Sequence, residues 1–369
     1  MLVDKKVLVI RSLDILTDTR VQRYERWYKE NHIKYHILGW DREGQNIIRK
    51  NTSYYTFQAG YNMGINGIKY RIRWNYYILK YLLRQRKKYD VIHACDFDTI
   101  LPSLIMRLAG KKVIFDIFDW FSDEVKTGKK IIDIPINNLE KLATKLANLT
   151  ILCEEERIKQ IDTKPKKYII IPNVPSINLI ESKENEMTAQ NEITIGYVGG
   201  LYPDRGLLEL LEVVKDRRGI IFKIAGFGNQ EIEEKAINYS NIYPNIVFYG
   251  KVEYKQAIEI MQSCHILYAM YYKVNRNNIF AAPNKFYESI FMQKPIITTR
   301  GTLVGEKVEK ERIGFVIEEG YKALEALIDH LDFMELESKK EALQKSDKKY
   351  KDRFNVCMME YAKFIKEER

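Results

Sequence analysis

Cysteine is scarce in this chain, histidine nearly as scarce, and no apolar run approaches the about 20 residues that a membrane-spanning helix needs. The four cysteines, Cys95, Cys153, Cys264 and Cys357, follow no pairing pattern. That excludes a disulfide-built scaffold and predicts reduced thiols in the cytosol. His93 and Cys95 lack further ligands at metal-site spacing, so they read as core residues. Gly226-Phe227-Gly228 lacks the third glycine and the downstream acid of a dinucleotide fingerprint, which argues against a dehydrogenase. The opening MLVDKKVLVIRSL is interrupted by Arg11 and reads as a buried first strand, not a signal peptide. The basic residues fall into no nucleic-acid-binding motif, and no nucleic-acid partner is expected.

What the chain does have is length, uneven charge and a repeated pattern. Its 369 residues exceed one comfortable core and suit two domains. Residues 1–173 hold 32 basic and 20 acidic side chains, and the remainder holds 28 and 30. A basic first half predicts a meeting with an anionic surface or ligand. Thirteen short β-branched runs, from KVLVI (6–10) to GFVIEE (314–319), alternate with helical patterns, notably at 18–31, 66–88, 98–109 and 137–148. This alternation predicts parallel sheets covered on both faces. It breaks once, at 176–192, where composition turns polar and aperiodic as in a linker. Two tandem doubly wound α/β domains facing a central cleft follow, with ligands at the carboxyl ends of the strands.

Two segments carry chemistry. In Pro283-Asn284-Lys285-Phe286-Tyr287-Glu288-Ser289, Asn284 suits a helix N-cap, and Tyr287, Ile290 and Phe291 share an inward face. Glu288 then sits near the helix start, where a carboxylate can accept both hydroxyls of a ribose and the first amides can hold a phosphate. A surface helix with one solvated Glu is the plainer reading. In Tyr197-Val198-Gly199-Gly200-Leu201-Tyr202-Pro203-Asp204-Arg205-Gly206, a strand runs into glycines and then a basic residue. Glycines let backbone amides approach a diphosphate, and the planar fork of Arg205 can neutralise it. An ordinary βα turn is the alternative.

Together these segments resemble the retaining glycosyltransferases of family 4, the group 1 transferases with the GT-B fold. The resemblance also rests on Ala225-Gly226-Phe227-Gly228, on Phe248 to Val252, and in the first half on Asp18-Thr19-Arg20-Val21, Phe115 to Asp119 and Ile171-Pro172-Asn173-Val174. It implies a metal-independent hexosyltransferase without a cofactor, its donor a nucleotide-sugar, UDP before GDP. As the resemblance implies it, the acceptor would be a glycan or polyprenyl-linked glycan of surface polysaccharide synthesis. Residues 1–175 would be the acceptor-side Rossmann-like domain and 193–349 the donor-binding one, with a last helix at about 350–369 packing back on the first. The resemblance assigns the donor to Gly199, Gly200, Arg205, Gly226, Gly250, Val252, Asn284, Lys285 and Glu288. It assigns catalysis to Arg205, with Asp116 or Asp119 positioning the acceptor.

Three positions depart from the family pattern. Phe280 stands where many members have a second Glu, with Asn277 or Asn278 as substitutes; Gly200 replaces a frequent Arg; and Phe118 replaces a His. These departures keep two other readings open: an inactive GT-B-like subunit that binds a membrane or partner enzyme, and a GT-B sugar-nucleotide epimerase. Asp96-Phe97-Asp98 resembles the metal motif of the GT-A fold, but a helix cap suits it better. Residues 69–88 form a basic amphipathic helix with Tyr70, Trp74, Tyr77, Ile78, Tyr81 and Leu82 in one stripe. It either packs that stripe on the sheet or lies on an anionic membrane, which would make the protein cytoplasmic and peripheral to the inner face of the plasma membrane.

Overall fold

The computed structural model describes residues 5–15, 18–60, 64–175 and 192–367. The predicted linker at 176–192 lies outside them except for its last residue. All thirteen predicted strands form: β1 Lys6–Ile10, β2 Lys34–Asp41, β3 Thr52–Thr56, β4 Val91–Cys95, β5 Lys112–Ile117, β6 Leu149–Leu152, β7 Tyr168–Ile170, β8 Ile193–Val198, β9 Ile220–Ala225, β10 Ile246–Phe248, β11 Ile266–Ala269, β12 Ile296–Thr299 and β13 Gly314–Ile317. Between them lie helices α1 Thr19–Glu30, α2 Ile68–Arg84, α3 Phe97–Leu104, α4 Phe121–Glu124, α5 Lys130–Leu146, α6 Arg157–Ile161, α7 Leu207–Val214, α8 Gln230–Ile242, α9 Tyr254–Gln262, α10 Arg276–Ile279, α11 Asn284–Phe291, α12 Leu303–Glu311, α13 Tyr321–His330, α14 Phe333–Glu337 and α15 Lys340–Lys366. No helix among the described residues is long and apolar enough to cross a membrane.

The chain divides into two compact units, residues 1–172 with 353–369, and residues 173–352. The first holds a seven-stranded sheet ordered β3-β2-β1-β4-β5-β6-β7, the second a six-stranded sheet ordered β10-β9-β8-β11-β12-β13. Every recorded pairing is parallel. Each order reverses once, between β1 and β4 and between β8 and β11. A ligand crevice opens beside the carboxyl ends at such a point.

In the first unit α2, α3 and α5 cover one face of the sheet, and α1 with the last turns of α15 covers the other. Trp74, Ile78 and Leu82 of α2 are buried, with Tyr70, Tyr77 and Tyr81 packed half-buried against the same core. The aromatic stripe predicted for 69–88 is therefore a core stripe, not a lipid-facing one. Cys357, Met358, Tyr361, Phe364 and Ile365 of α15 are buried against β1, β4 and α1.

On that second face runs a buried polar chain, and it corrects one expectation. Asp116, predicted to position an acceptor, is fully buried. Its carboxylate accepts from Arg20 Nη2 at 2.6 Å and Tyr24 Oη at 2.8 Å, and lies 3.2 Å from His93 Nε2. His93 Nδ1 is 2.7 Å from Tyr361 Oη, which in turn meets Tyr28 Oη. Burial alone would raise the Asp116 pKa, but Arg20 and His93 overcome it and hold the carboxyl at about 2. Asp116 is thus the internal counter-ion of Arg20, closed to any acceptor. His93, Cys95 and Asp116 also form the one cluster of metal-ligand type among the described residues. The carboxylate and both imidazole nitrogens are already engaged by protein partners, and Arg20 beside them repels a cation.

Removing one member of a buried ion pair leaves the other charge stranded, at a cost of about 3–5 kcal/mol. Asp116→Ala is therefore expected to destabilise the first unit by about that much, read as a lower urea midpoint. Asp119→Ala takes the ion-pair partner from the buried Arg157 guanidinium, and should cost less, about 1–3 kcal/mol, because the Asp119 end of the pair is open to solvent.

Candidate active site

In the second unit the carboxyl ends of β8 and β9 are joined backbone to backbone. Gly199 N donates to Ala225 O at 3.0 Å, Leu201 N to Phe227 O at 3.0 Å, and Asn229 N to Leu201 O at 2.8 Å. Gly226 N donates to Gly250 O at 2.8 Å, which brings in the loop after β10. Glycine is required at this crossing. Gly226 has φ of +149°, and a Cβ on it would lie 1.8 Å from Gly199 O. Gly206, with φ of +63°, opens α7 without a side-chain cap, and its carbonyl accepts from Tyr268 Oη at 3.0 Å.

Into this glycine floor reach the charged groups. A Cβ on Gly199 would lie 2.6 Å from Lys285 Nζ, so the missing side chain makes the room that the ammonium fills. Lys285 Nζ also lies 4.8 Å from the ring centre of Tyr197. Burial pushes Lys285 down to about pH 8, with Glu288 opposing the shift and Arg205 adding to it. Glu288 is 6% exposed, and burial raises its pKa against the pull of Lys285 and a hydrogen bond from Tyr254. An acid and a base thus lie three residues apart on the first turns of α11, each shifted toward neutrality.

The helix start differs in detail from expectation. Pro283 occupies the N-cap position and Asn284 is the first helical residue, exposed to solvent, and no side chain caps the helix. The reason lies in φ: proline is already fixed near −65°, and Pro283 has φ −68° and ψ 146°, an extended entry into the helix. Val252 is half-buried two residues beyond Gly250. Gly200 O accepts from Tyr197 Oη, which folds the glycine turn back on its strand.

Arg205 follows a short turn at Pro203–Arg205 and is not a bare cation. Its guanidinium lies 3.1 Å from the Asp204 carboxylate, donates to Asn278 Oδ1 at 3.3 Å and sits 4.4 Å from the Tyr271 ring centre. Asn278, 5% exposed, donates to Asp204 Oδ2 at 2.7 Å and to Tyr272 O at 2.6 Å. Asn278 therefore holds the Asp204–Arg205 pair and is not free to replace the missing Glu at 280. Sequence reading missed this role. The available signal was Asn275, whose side chain accepts from Asn278 N at 2.8 Å and fixes the loop as the short helix α10. Phe280 ends that helix, half-buried, with the Arg276 guanidinium 5.8 Å from its ring centre.

In the first unit, polar groups gather at the carboxyl ends of β1, β4 and β5. Asp18 caps α1 by accepting from Val21 N at 3.0 Å and takes Arg11 Nε at 2.6 Å. Asp96, with φ of +65°, does not cap α3 as predicted. Its carboxylate accepts from Phe118 N at 2.8 Å and pairs with Arg11, and Asp98 instead meets Arg71 at 3.1 Å. Burial, reinforced by Asp119, raises Asp96 to about 6 against Arg11. The Phe118 ring is held between the Arg11 and Arg20 guanidiniums, 4.2 and 4.7 Å from its centre. Asp119 keeps a side chain 57% exposed and pairs with Arg157 at 3.1 Å. Of the two acids proposed for the acceptor, Asp119 is the one open to solvent.

The glycine crossing gives a direct check. Gly226→Ala must move the β8 or β9 loop, since its new Cβ meets backbone. It is expected to lower the unfolding midpoint by about 1–3 kcal/mol and to abolish any ligand-induced stabilisation. Gly250→Ala, where a Cβ meets nothing within 4 Å but φ is +66°, should cost about 1 kcal/mol and leave ligand binding measurable. Thermal melts with and without nucleotide separate the two.

With this geometry in hand, known structures place the fold. The chain superposes on sucrose-phosphate synthase from Thermosynechococcus elongatus with a TM-score of 0.73 at 12% identity, covering 98% of each chain. On a UDP-forming trehalose-phosphate synthase from Burkholderia xenovorans, solved with glucose-6-phosphate, the score is 0.72 at 11% identity, over 98% of this chain and 100% of that one. On the Anabaena protein HepE, solved with UDP and glucose, it is 0.70 at 14% identity, over 98% and 99%. The fold is GT-B: two Rossmann-like parallel-sheet domains. Among curated protein sequences none matches the chain. Residues 192–332, which contain the whole glycine, Arg205, Lys285 and Glu288 cluster, match the family described as glycosyl transferases group 1.

Proposed function

We propose that the protein is a retaining, metal-independent hexosyltransferase of the family 4 type, moving a sugar from a UDP-linked donor to a glycan or lipid-linked glycan acceptor in surface polysaccharide assembly. The observation that carries the reading is the placement of Lys285 Nζ over the Gly199 backbone, with Arg205 and Glu288 coupled to it. Two cationic side chains beside close-approaching loop amides suit a diphosphate. A buried carboxylate one turn along α11 suits the two ribose hydroxyls. The match of residues 192–332 and the UDP in the solved HepE structure support the donor class.

In this reading the bond from the anomeric carbon to the diphosphate oxygen breaks as the acceptor oxygen bonds to the same face. The acceptor proton passes to the departing phosphate oxygen. Arg205 and Lys285 stabilise the charge that develops there, the electrostatic contribution that dominates such catalysis. Asp119 replaces Asp116 as the acid offered to an acceptor hydroxyl. Domain roles follow, with 1–175 on the acceptor side and 193–349 on the donor side. The lipid-linked acceptor and a place on the inner face of the plasma membrane rest on the basic first half of the chain. Phe118 keeps a second reading in play, an inactive subunit, because its ring occupies the space between Arg11 and Arg20 where a polar side chain would meet a ligand.

Incubated with a panel of UDP- and GDP-sugars, the protein is expected to release nucleotide from one UDP-sugar. Glu288→Ala should weaken that donor about tenfold to a hundredfold, the worth of hydrogen bonds to a charged acceptor. Failure to bind any nucleotide would sink the transferase reading in favour of the inactive subunit. Lys285 is charged only below about pH 8. UDP affinity should therefore fall between pH 7 and pH 9, and Lys285→Met should flatten that dependence while lowering affinity throughout. Titration calorimetry across pH reads both.

A further inference from the structure

The three helices on one face of the first unit's sheet are apolar on their outer side as well as their inner one. Opposite the buried Trp74, Ile78 and Leu82, helix α2 exposes Ile72, Tyr76 and Leu83, with half-buried Leu79 in the same stripe at helical spacing. Helix α5 exposes Ile131, Ile134, Leu139, Leu142 and Leu146, again one stripe, with Ile131 at 85%. Between them, α3 and the turn that follows it expose Ile105 and Leu108, the latter at 92%. Arg107 of that turn reaches Leu146 O, so the α3 end and the α5 end lie side by side. These ten residues are nearly half of the 21 exposed large hydrophobics among the described residues. Scattered single apolar residues need no explanation, but a contiguous set on three packed helices marks an interaction surface.

Charge identifies the occupant. From residue 64 to 89 the sequence has eight Lys and Arg and no Asp or Glu. Arg71 is spent on Asp98, whereas Arg73, Lys80, Arg84, Arg86, Lys87 and Lys88 are exposed. On α5 the exposed Lys130 and Lys145 flank its apolar stripe. The two acids of α5 are engaged by backbone amides: Glu140 is buried and accepts from Phe121 N at 2.8 Å and Ser122 N at 3.0 Å, and Asp133 accepts from Thr127 N at 3.0 Å. A helix face of large apolar residues edged by cations is the pattern that seats at a lipid headgroup boundary, with apolar side chains entering and cations meeting phosphates.

We propose that the outer face of α2, α3 and α5 docks flat on an anionic lipid bilayer. It extends the membrane part of the proposed function and rests on it for its biological setting, yet vesicle binding is read without donor or acceptor. The lipid-facing stripe is Ile72, Tyr76 and Leu83, on the side of α2 away from the aromatic stripe that fills the core.

The test uses the full chain, sedimented with vesicles of phosphatidylcholine alone and with about one third phosphatidylglycerol, in low and high salt. Binding is expected to the anionic vesicles only, falling with salt. Each exposed cation removed should lower partition roughly fivefold, so Lys80→Gln/Arg84→Gln/Lys87→Gln should lower it about a hundredfold. Leu108→Ser/Ile131→Ser/Leu142→Ser, all at exposed positions and so without cost to the core, should lower it more than tenfold with unchanged circular dichroism. Wild-type protein that ignores anionic vesicles overturns the membrane reading, and intact UDP binding in the same sample leaves the transferase reading standing. Vesicle binding that survives both triple variants overturns this face. Concentration-dependent dimerisation lost in the serine variant, without vesicle binding, assigns the face to a second copy and also overturns the proposal.

Discussion

A parallel sheet covered on both faces leaves polar side chains almost no place except the strand ends. That constraint arranges the whole molecule. In β1, β4, β5, β8, β9, β11 and β12 most residues are Val, Ile, Leu, Phe, Tyr or Ala, and nearly all are buried. Chemistry is consequently pushed to the carboxyl edges, where β8 and β9 end in glycine and β1, β4 and β5 end beside Arg11, Asp96 and Asp119. The carboxylate inside β5, Asp116, is tolerable because Arg20, Tyr24 and His93 satisfy it. Through His93 and Tyr361 the same chain of contacts reaches α15, so a single buried charge helps fix the last helix of the first unit.

Backbone proximity plays the corresponding part in the second unit. Two loops can approach at the β8 and β9 ends because Gly226 carries no Cβ, and the space left by the missing Cβ of Gly199 is taken by Lys285 Nζ. An ammonium confined there loses solvent and drops toward pH 8. Glu288, confined on the same helix, rises for the same reason. Perturbed groups of opposite sign on one turn of a helix, beside a glycine floor, make this the candidate ligand site of the second unit.

The fold was legible in the sequence because period and residue type agreed at every strand: a β-branched run bounded by turn residues reads the same whether or not its neighbours are known. The segments around Gly199, Arg205, Lys285 and Glu288 stood out in the sequence too, since glycine pairs at strand ends and a short acid–base spacing on a helix are local patterns, and the structure brings Lys285 against Gly199. What local pattern cannot show is the partner of a side chain. Asp116 and Asp119 look alike in sequence, three residues apart on one strand and its turn, yet one faces Arg20 in the core and the other faces solvent. Likewise α2 has two apolar stripes, and aromatic weight singled out the one that packs inward. Asn278 was weighed for its chemistry, a short amide near a missing Glu, when its contacts make it a clamp on Asp204 and Arg205.

That clamp bears on how the donor-side charges balance before anything is bound. Arg205 is paired with Asp204, and Glu288 acts on Lys285 as the nearby opposite charge. The cluster is therefore close to neutral, although it is rich in cations. A diphosphate entering it brings more negative charge than the free cations can match, and the local field shifts accordingly. Lys285, already poised near pH 8, is the group that can respond, because a neighbouring anion favours its charged form. If a diphosphate binds there, as in the proposed function, its binding and the protonation of Lys285 are linked: each stabilises the other by the same free energy. A site of this kind holds little uncompensated charge when empty, which spares the buried glycine floor a destabilising field.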